Sequence, residues 1–209
     1  MIDIFGIKPL DLNNVVCHSG GAQGSDTYWE NIGEEFGVVT KAYSYKTEYH
    51  KSKNKVEISD EDYKEGIIEV KKANKFLNRY GISKYMNMLA RNWAQVKYSD
   101  EIFAIGYIVK VGKKNIKGYY NRGKFDMVDG GTGYAVQMAI NNQKPVYVYD
   151  QKVDEWFRWS YSSLSFIQMK DSPKIKFQNF AGIGTRQISK NGIEVIRQLY
   201  NNTFYENKF

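Results

Sequence analysis

Residues that build metal and disulfide sites are scarce in this sequence. Only one cysteine, Cys17, and two histidines occur among 209 residues. One cysteine cannot form a disulfide within the chain, and so few sulfur and imidazole groups leave no zinc cluster. We therefore expect neither a metal nor a bound cofactor, and we expect a protein of the reducing cytoplasm.

Long apolar stretches are also missing. The run IFAIGYIV at residues 102–109 is far too short to cross a bilayer, which takes about 20 apolar residues in a helix. The opening MIDIFGIKPL has an acid at position 3 and no basic stretch before an apolar segment. We therefore expect no membrane partner and no signal peptide.

Acidic residues are outnumbered by basic ones, and the net charge is +7. A basic balance favours anionic partners such as a nucleotide, nucleic acid or phosphate. No run of five basic residues occurs, so charges that only keep the protein soluble are the competing interpretation. The densest basic stretch, VGKKNIKGYYNRGK at 111–124, interleaves tyrosines, which suits base stacking but also an exposed hairpin.

Short apolar strands alternate with helical segments along the chain. NVVCHS, GVVTKAYSY, EIFAIG, KPVYVYD and KIKFQNF have strand character, and helices are predicted to start near Ser59 and Ser83. The alternation predicts one α/β domain over residues 1–209, with a mostly parallel sheet covered on both faces. We expect a polar loop at YHKSKNKVEI, a hairpin insertion at 107–128 and an aromatic excursion at 151–174.

Three glycine-rich segments stand between a predicted strand and a predicted helix: SGGAQGSD at 19–26, GGTGYA at 130–135 and GIGTR at 182–186. Glycine lets the backbone approach a ligand closely, and a helix N-terminus presents free N–H groups. In an open α/β sheet such turns gather at the carboxyl ends of the strands, where ligands bind. They predict a phosphate-bearing ligand, against the simpler interpretation that the glycines only make tight turns.

None of the three segments is a P-loop or a full dinucleotide-binding fingerprint. The patterns G-x-x-x-x-G-K-[ST] and G-x-G-x-x-G do not occur in them. ATP hydrolysis and NAD-dependent hydride transfer are therefore disfavoured.

SGGAQGSD, with GGTGYAV and the following KPVYVYD, resembles the SLOG superfamily. This Rossmann-like group includes the cytokinin-activating LOG phosphoribohydrolases, the DNA-processing protein DprA and nucleotide-sensing domains of bacterial defence systems. The resemblance leaves out residues 105–128 and 151–174, and it implies a three-layer α/β/α fold. Many relatives begin with a GxGSR-type strand and helix. Here FAGIGTR and its helix come last, at 180–201, which implies a circular permutation that moves the first strand–helix unit to the C-terminus.

LOG enzymes cleave the N-glycosidic bond of a nucleoside monophosphate, with a PGGxGTxxE turn and an arginine from an MHxRK helix. By resemblance Arg91 of MLAR matches the arginine, and Asn92 replaces the lysine. In DGGTGYAVQ, Gln137 stands where the family has its catalytic glutamate, and an amide cannot transfer a proton as a carboxylate does. The resemblance therefore implies binding without turnover, unless Asp126 or Asp129 supplies a carboxylate.

The predicted ligand-binding residues come from the three glycine segments and from Arg91 and Gln137. Arg91 and Arg186 are expected to clamp phosphate, whereas Asp26 either binds a ribose hydroxyl or caps a helix. No catalytic residue is assigned. The complete set is Ser19, Gly20, Gly21, Gly24, Ser25, Asp26, Arg91, Gly130, Gly131, Thr132, Gly133, Gln137, Gly184, Thr185 and Arg186.

Three functions are left open. The first is a protein that binds an ADP-ribose-like or cyclic nucleotide signal and does not turn it over, as a virus-encoded protein would do to sequester an immune signal. The second is a LOG-like phosphoribohydrolase. The third is DNA binding as in DprA, which the net charge allows. Relatives of this fold pair, so the resemblance also implies a homodimer or a higher homo-oligomer.

Overall fold

The computed structural model describes residues 10–48, 50 and 52–205, and it confirms the predicted α/β class. The strands are β1 (Val16–Ser19), β2 (Val39–Ser44), β3 (Lys55–Glu57), β4 (Glu101–Gly106), β5 (Ile108–Val109), β6 (Met127–Val128), β7 (Val146–Asp150), β8 (Glu155–Ser160), β9 (Ser165–Gln168) and β10 (Asn179–Gly184). The helices are α1 (Ser25–Glu35), α2 (Asp60–Leu77), α3 (Met86–Lys97), α4 (Thr132–Asn141) and α5 (Lys190–Phe204), with a short 3-10 turn at Ile82–Tyr85.

Eight strands form one sheet in the order β3-β2-β1-β10-β4-β7-β8-β9. The first six run parallel, and β8 and β9 add an antiparallel hairpin at one edge. The aromatic excursion predicted at 151–174 therefore contains the two strands of this hairpin. The loop predicted at 49–58 needs a correction, because residues 55–57 pair with β2 as an edge strand. Tyr49 and Lys51 of that segment lie outside the described residues.

Helices cover both faces of the sheet. Along β4, Ile102 and Ala104 pack into the core under α2, α3 and α4, whereas Phe103 and Ile105 pack into the core under α1 and α5. This alternation follows from the two-residue period of a strand, and it gives two apolar layers of the kind a parallel sheet needs. The three-layer architecture is compatible with a Rossmann-like fold. No helix in the described part of the chain is long and apolar enough to span a membrane.

The last strand lies in the middle of the sheet. β10 pairs with β1 on one side and with β4 on the other. A strand–helix unit at the end of the sequence thus occupies a central position, while the circular permutation itself stays a prediction. Within residues 107–128, β5 and β6 pair as a separate two-stranded antiparallel sheet directly after β4.

Candidate functional site

The three glycine segments meet the carboxyl edge of the sheet in different ways. The first glycine turn (residues 20–24) joins β1 to α1, and the second glycine turn (residues 130–133) joins β6 to α4. The third segment (182–186) differs from its prediction, because Gly182 and Gly184 are residues of β10 and α5 begins only at Lys190. Arg186 therefore does not stand at a helix start. Ser189 caps α5, its Oγ accepting from the N–H of Gly192 at 2.9 Å.

The first glycine turn is filled by the protein itself. A Cβ added to Gly20 would lie 1.7 Å from Nη1 of Arg91. A Cβ added to Gly24, whose φ is +107°, would lie 2.5 Å from the main chain of Arg186. Gly24 therefore has to be glycine, whereas a side chain at position 20 would have to displace the ends of the Arg91 and Asp26 side chains. At both positions the groups that approach closely belong to this chain.

Opposite charges are buried beside this turn. The Asp26 carboxylate and the Arg91 guanidinium both lie against Gly20, and Oδ2 of Asp26 accepts from the N–H of Ala22 at 3.3 Å. Burial raises the pKa of Asp26 to about 6, while the charge of Arg91 and the main-chain N–H groups oppose the rise. Burial also lowers the pKa of Arg91, whose Nη1 donates to Gln95 at 3.0 Å. Asp26 thus braces the turn at the start of α1.

The serines and the third segment support the same turn. The Ser25 hydroxyl donates to the carbonyl of Thr185 at 2.8 Å, and the Ser25 N–H donates to it at 3.1 Å. The Ser19 hydroxyl donates to the carbonyl of Asp26 at 3.5 Å. A Cβ on Gly184 would lie 2.5 Å from the Ser25 side chain. The bonds from Ser25 thus hold the start of α1 against the main chain at Thr185. The side chain of the next residue, Arg186, is exposed.

The second glycine turn is open at its first residue. Gly130 has a φ of +65°, and a Cβ added to it would meet no atom within 4 Å. The Arg79 guanidinium holds the turn from behind, since it donates to the carbonyls of Gly130 and Val128 at 2.6 Å each. No described carboxylate lies within 4 Å of this guanidinium. Burial lowers the pKa of Arg79.

The start of α4 is anchored on its other side by α3 and by β6. The Asn92 amide donates to the carbonyl of Gly131 at 3.2 Å. A Cβ on Gly133 would lie 1.9 Å from the carbonyl oxygen of Val128, so this glycine serves helix–strand packing. Thr132, the first residue of α4, is buried, and no side chain of the described residues caps this helix. The α4 N-terminus therefore keeps its partial positive charge at the open turn.

A cleft of about 770 Å³ lies in front of the second glycine turn. Its walls come from the end of α2, the α2–α3 connection and residues 115–122. The lining includes three cationic side chains and one carboxylate, and its floor is apolar. The cations are Arg79, Lys117 and Arg122, the acid is Asp129, and the tyrosines are Tyr80, Tyr85, Tyr119, Tyr120 and Tyr134. This volume is in the range of small-molecule sites, which is about 300–1,000 Å³.

The predicted set divides between these two places. Arg91 lies on the first glycine turn and its neighbour Asn92 on the second, so α3 passes between them. Gln137 is buried in α4, and its Nε2 donates to Asn141 at 2.9 Å, one turn further from the glycines. Among the described residues, no hydrogen bond joins Gln137 to Arg91, which donates to Gln95 instead.

Three residues were absent from the predicted set. His50 packs on Gly21, and its Nε2 lies 3.0 Å from the carbonyl oxygen of Gly20. Arg79 and Asn115 support the second turn. Long-range pairing of this kind leaves no local pattern, although the basic, tyrosine-rich stretch at 111–124 did mark the neighbourhood of Asn115. No group of His, Cys, Asp and Glu side chains that could hold a metal ion occurs among the described residues.

A scan against protein-family models, a search of curated proteins and a search of solved structures found no match to this chain.

Proposed function

We propose that the protein binds a nucleotide-derived, phosphate-bearing small molecule in the cleft at the second glycine turn and releases it unchanged. The observation that carries the proposal is the cleft's lining, which combines an open glycine turn at a helix N-terminus with cations and exposed tyrosines. Phosphate suits the helix N-terminus and the cations, and an aromatic base suits the tyrosines.

The charge balance supports an anionic ligand. Arg79, Lys117 and Arg122 line the cleft against the single carboxylate of Asp129. Arg79 is half-buried, and its guanidinium donates to two main-chain carbonyls. No carboxylate of the described residues lies within 4 Å of it. A ligand phosphate would place a negative charge directly beside this guanidinium.

The shortage of carboxylates supports binding without turnover. Cleavage of an N-glycosidic bond needs a general acid or base within reach of the bond, and a carboxyl group is a common one. Asp129 is the only acid among the described residues that line this cleft, and its Oδ1 accepts from Asn115 at 2.9 Å. Sequestration of a signal and self-association, which the resemblance implies, and the cytoplasmic location expected from the composition all stay predictions beside this proposal.

The test is incubation of the protein with AMP, ADP-ribose and cyclic dinucleotides, followed by thermal unfolding. A ligand present at 100 times its Kd adds about 2.7 kcal/mol, which for a domain of this size raises the Tm by roughly 5–10 °C. Heat release and chromatography then identify the small molecule. Recovery of the intact nucleotide supports the proposal. The proposal is contradicted if none of the nucleotides raises the Tm.

The second candidate is hydrolysis of an N-glycosidic bond, which Asp129 favours because its carboxylate lies in the cleft. Release of free base and ribose phosphate would establish this function. Asp129→Asn would then abolish the release, and Asp11→Asn, which changes an acid remote from the cleft, would not.

A further inference from the structure

The cleft has one wall that the family resemblance does not cover. Residues 112–121, named here the insert hairpin, fold back on themselves with a bridge between Lys114 and Tyr120. The N–H of Asn115 donates to the carbonyl of Tyr119 at 2.8 Å, and the N–H of Asn121 donates to that of Lys113 at 2.7 Å. The Asn115 Oδ1 also accepts from two N–H groups at the hairpin tip. Its shape is thus set by its own hydrogen bonds.

The insert hairpin is fastened to the site on two sides. Asn115 donates through Nδ2 to Asp129 at 2.9 Å, which ties the hairpin tip to the residue before the second glycine turn. On the other side, Asn78 donates to the carbonyl of Arg122 at 3.2 Å, which ties the hairpin base to the end of α2. A wall held at both ends is preorganised, so little ordering entropy is lost when a ligand binds.

Tyrosines face the cleft from both walls. Tyr119 and Tyr120 belong to the insert hairpin and are 70% and 53% exposed. Tyr80 and Tyr85 belong to the α2–α3 connection and are 80% and 59% exposed. Lys114 Nζ lies 4.9 Å from the Tyr120 ring centroid, so one face of that ring is covered and only the other can stack. Large aromatic side chains left exposed on two sides of a cationic cleft suit a flat aromatic ligand group.

We infer that the insert hairpin is the base-binding wall of this site, and that the ligand's aromatic base stacks on Tyr119 and Tyr120. The phosphate then lies toward the second glycine turn, where the α4 N-terminus and Arg79 concentrate positive charge. This inference rests on the proposed function and deepens it, because it assigns base recognition to a segment separate from the phosphate-binding turn.

The experiment measures the Kd of the full chain for AMP and for ribose 5-phosphate, which lacks the base. The double variant Tyr119→Ala/Tyr120→Ala is expected to raise the Kd for AMP by about 5- to 150-fold, since a base–aromatic stack is lost. Its Kd for ribose 5-phosphate should change by less than about twofold. Tyr119→Phe/Tyr120→Phe keeps both rings and should bind AMP as the native chain does.

The matched control is Tyr161→Ala in the β8–β9 turn, whose hydroxyl bonds the carbonyl of Lys144 at the amino edge of the sheet. It removes a half-exposed tyrosine from outside the cleft and should leave the Kd for AMP unchanged. The inference is overturned if the double alanine variant, still folded by circular dichroism, binds AMP like the native chain. It is also overturned if single-stranded DNA binds the cleft while AMP does not. Failure of the proposed function is a different result, in which no nucleotide binds the native chain.

Discussion

Two glycine turns in this protein have similar sequences and opposite surroundings. In the first, SGGAQGSD, an added Cβ would collide with Arg91 at Gly20 and with the Arg186 main chain at Gly24. In the second, DGGTG, an added Cβ at Gly130 meets nothing within 4 Å, and a cleft opens in front of it. Both turns end a strand and start a helix, so the difference lies in what packs on them.

The comparison separates two reasons for a glycine. A glycine is needed where another group comes within the space of a Cβ and cannot move, and that group can belong to the protein or to a ligand. At the first turn the approaching group is a buried arginine, whose charge is balanced in part by Asp26. At Gly130 in the second turn the backbone conformation favours glycine, but the space beside it is free. A glycine-rich motif therefore predicts a close approach, and only packing decides which group approaches.

Gly24→Ala and Gly130→Ala test this contrast most strongly. At Gly24 alanine would be strained at a φ of +107° and would overlap the Arg186 main chain, so we expect a loss of about 4 kcal/mol in unfolding free energy. At Gly130 alanine would meet only the backbone strain, a loss of about 1–2 kcal/mol. Urea unfolding of both variants at one pH measures the difference.

Gly37→Ala is the control for backbone strain alone. Gly37 has a φ of +76° and no atom within 4 Å of an added Cβ, and it lies at the far end of α1. Gly130→Ala should match it closely. Equal losses for Gly24→Ala and Gly37→Ala would mean that the first turn relaxes easily, and the contrast between the turns would then be wrong.

Much of the fold could be predicted from the sequence because its signals are local. The alternation of short apolar runs with helical segments predicted the parallel sheet and its two covered faces. The β8–β9 hairpin was missed since EWFRWS carries no clean apolar alternation, its Trp156 and Trp159 being three positions apart. The edge strand β3 was missed because KVE is exposed along its whole length and has no burial pattern.

The candidate site was predictable only in part. The glycines marked both turns, and the basic tyrosine-rich stretch marked the insert hairpin. The surroundings of the two turns depend on Arg79 and Arg91, two arginines that reach their turns from the α2–α3 connection and from α3. Gln137 was placed by resemblance alone, and its hydrogen bond points toward the other end of α4. Contacts between residues distant in sequence have no periodicity to reveal them.

Two buried carboxyl groups make the stability of the fold depend on pH: Asp26 at the first glycine turn and Glu101 at the opposite, amino edge of the sheet. Burial raises the pKa of Asp26 from 3.8 to about 6 and that of Glu101, at the start of β4, from 4.5 to about 7. The folded state therefore holds both protons more tightly than the unfolded chain. These two carboxyl groups therefore contribute stability that is fully present in acid and is lost as pH rises from about 4 to 7, with Glu101 accounting for about 3 kcal/mol. His18 acts in the opposite direction, because burial lowers its pKa from 6.5 to about 4.

Glu101→Gln separates the contribution of Glu101 from that of the other buried groups. In the native chain the N–H groups of Lys176 and Phe177 donate to Oε1 of Glu101. Glutamine keeps an oxygen for these two donors, and it cannot ionise. We expect Glu101→Gln to match the native chain near pH 4 and to exceed it by about 3 kcal/mol at pH 8, because the variant has no buried carboxyl at this position to ionise. Glu57→Gln on the exposed edge strand is the charge control. Parallel stability curves for Glu101→Gln and the native chain between pH 4.5 and 8 would contradict this expectation.

The open side has exposed cations, and it should be sensitive to salt. Lys117 is exposed on the insert hairpin and lines the cleft. We expect Lys117→Ala to weaken AMP binding by about fivefold at low salt, which corresponds to about 1 kcal/mol for one exposed charge pair. The difference should vanish near 1 M salt, where the Debye length falls to about 3 Å. Lys170→Ala removes an exposed lysine beyond β9 and should change the Kd by less than twofold. If both variants weaken binding equally, net charge rather than the cleft attracts the ligand, because only Lys117 lines the cleft.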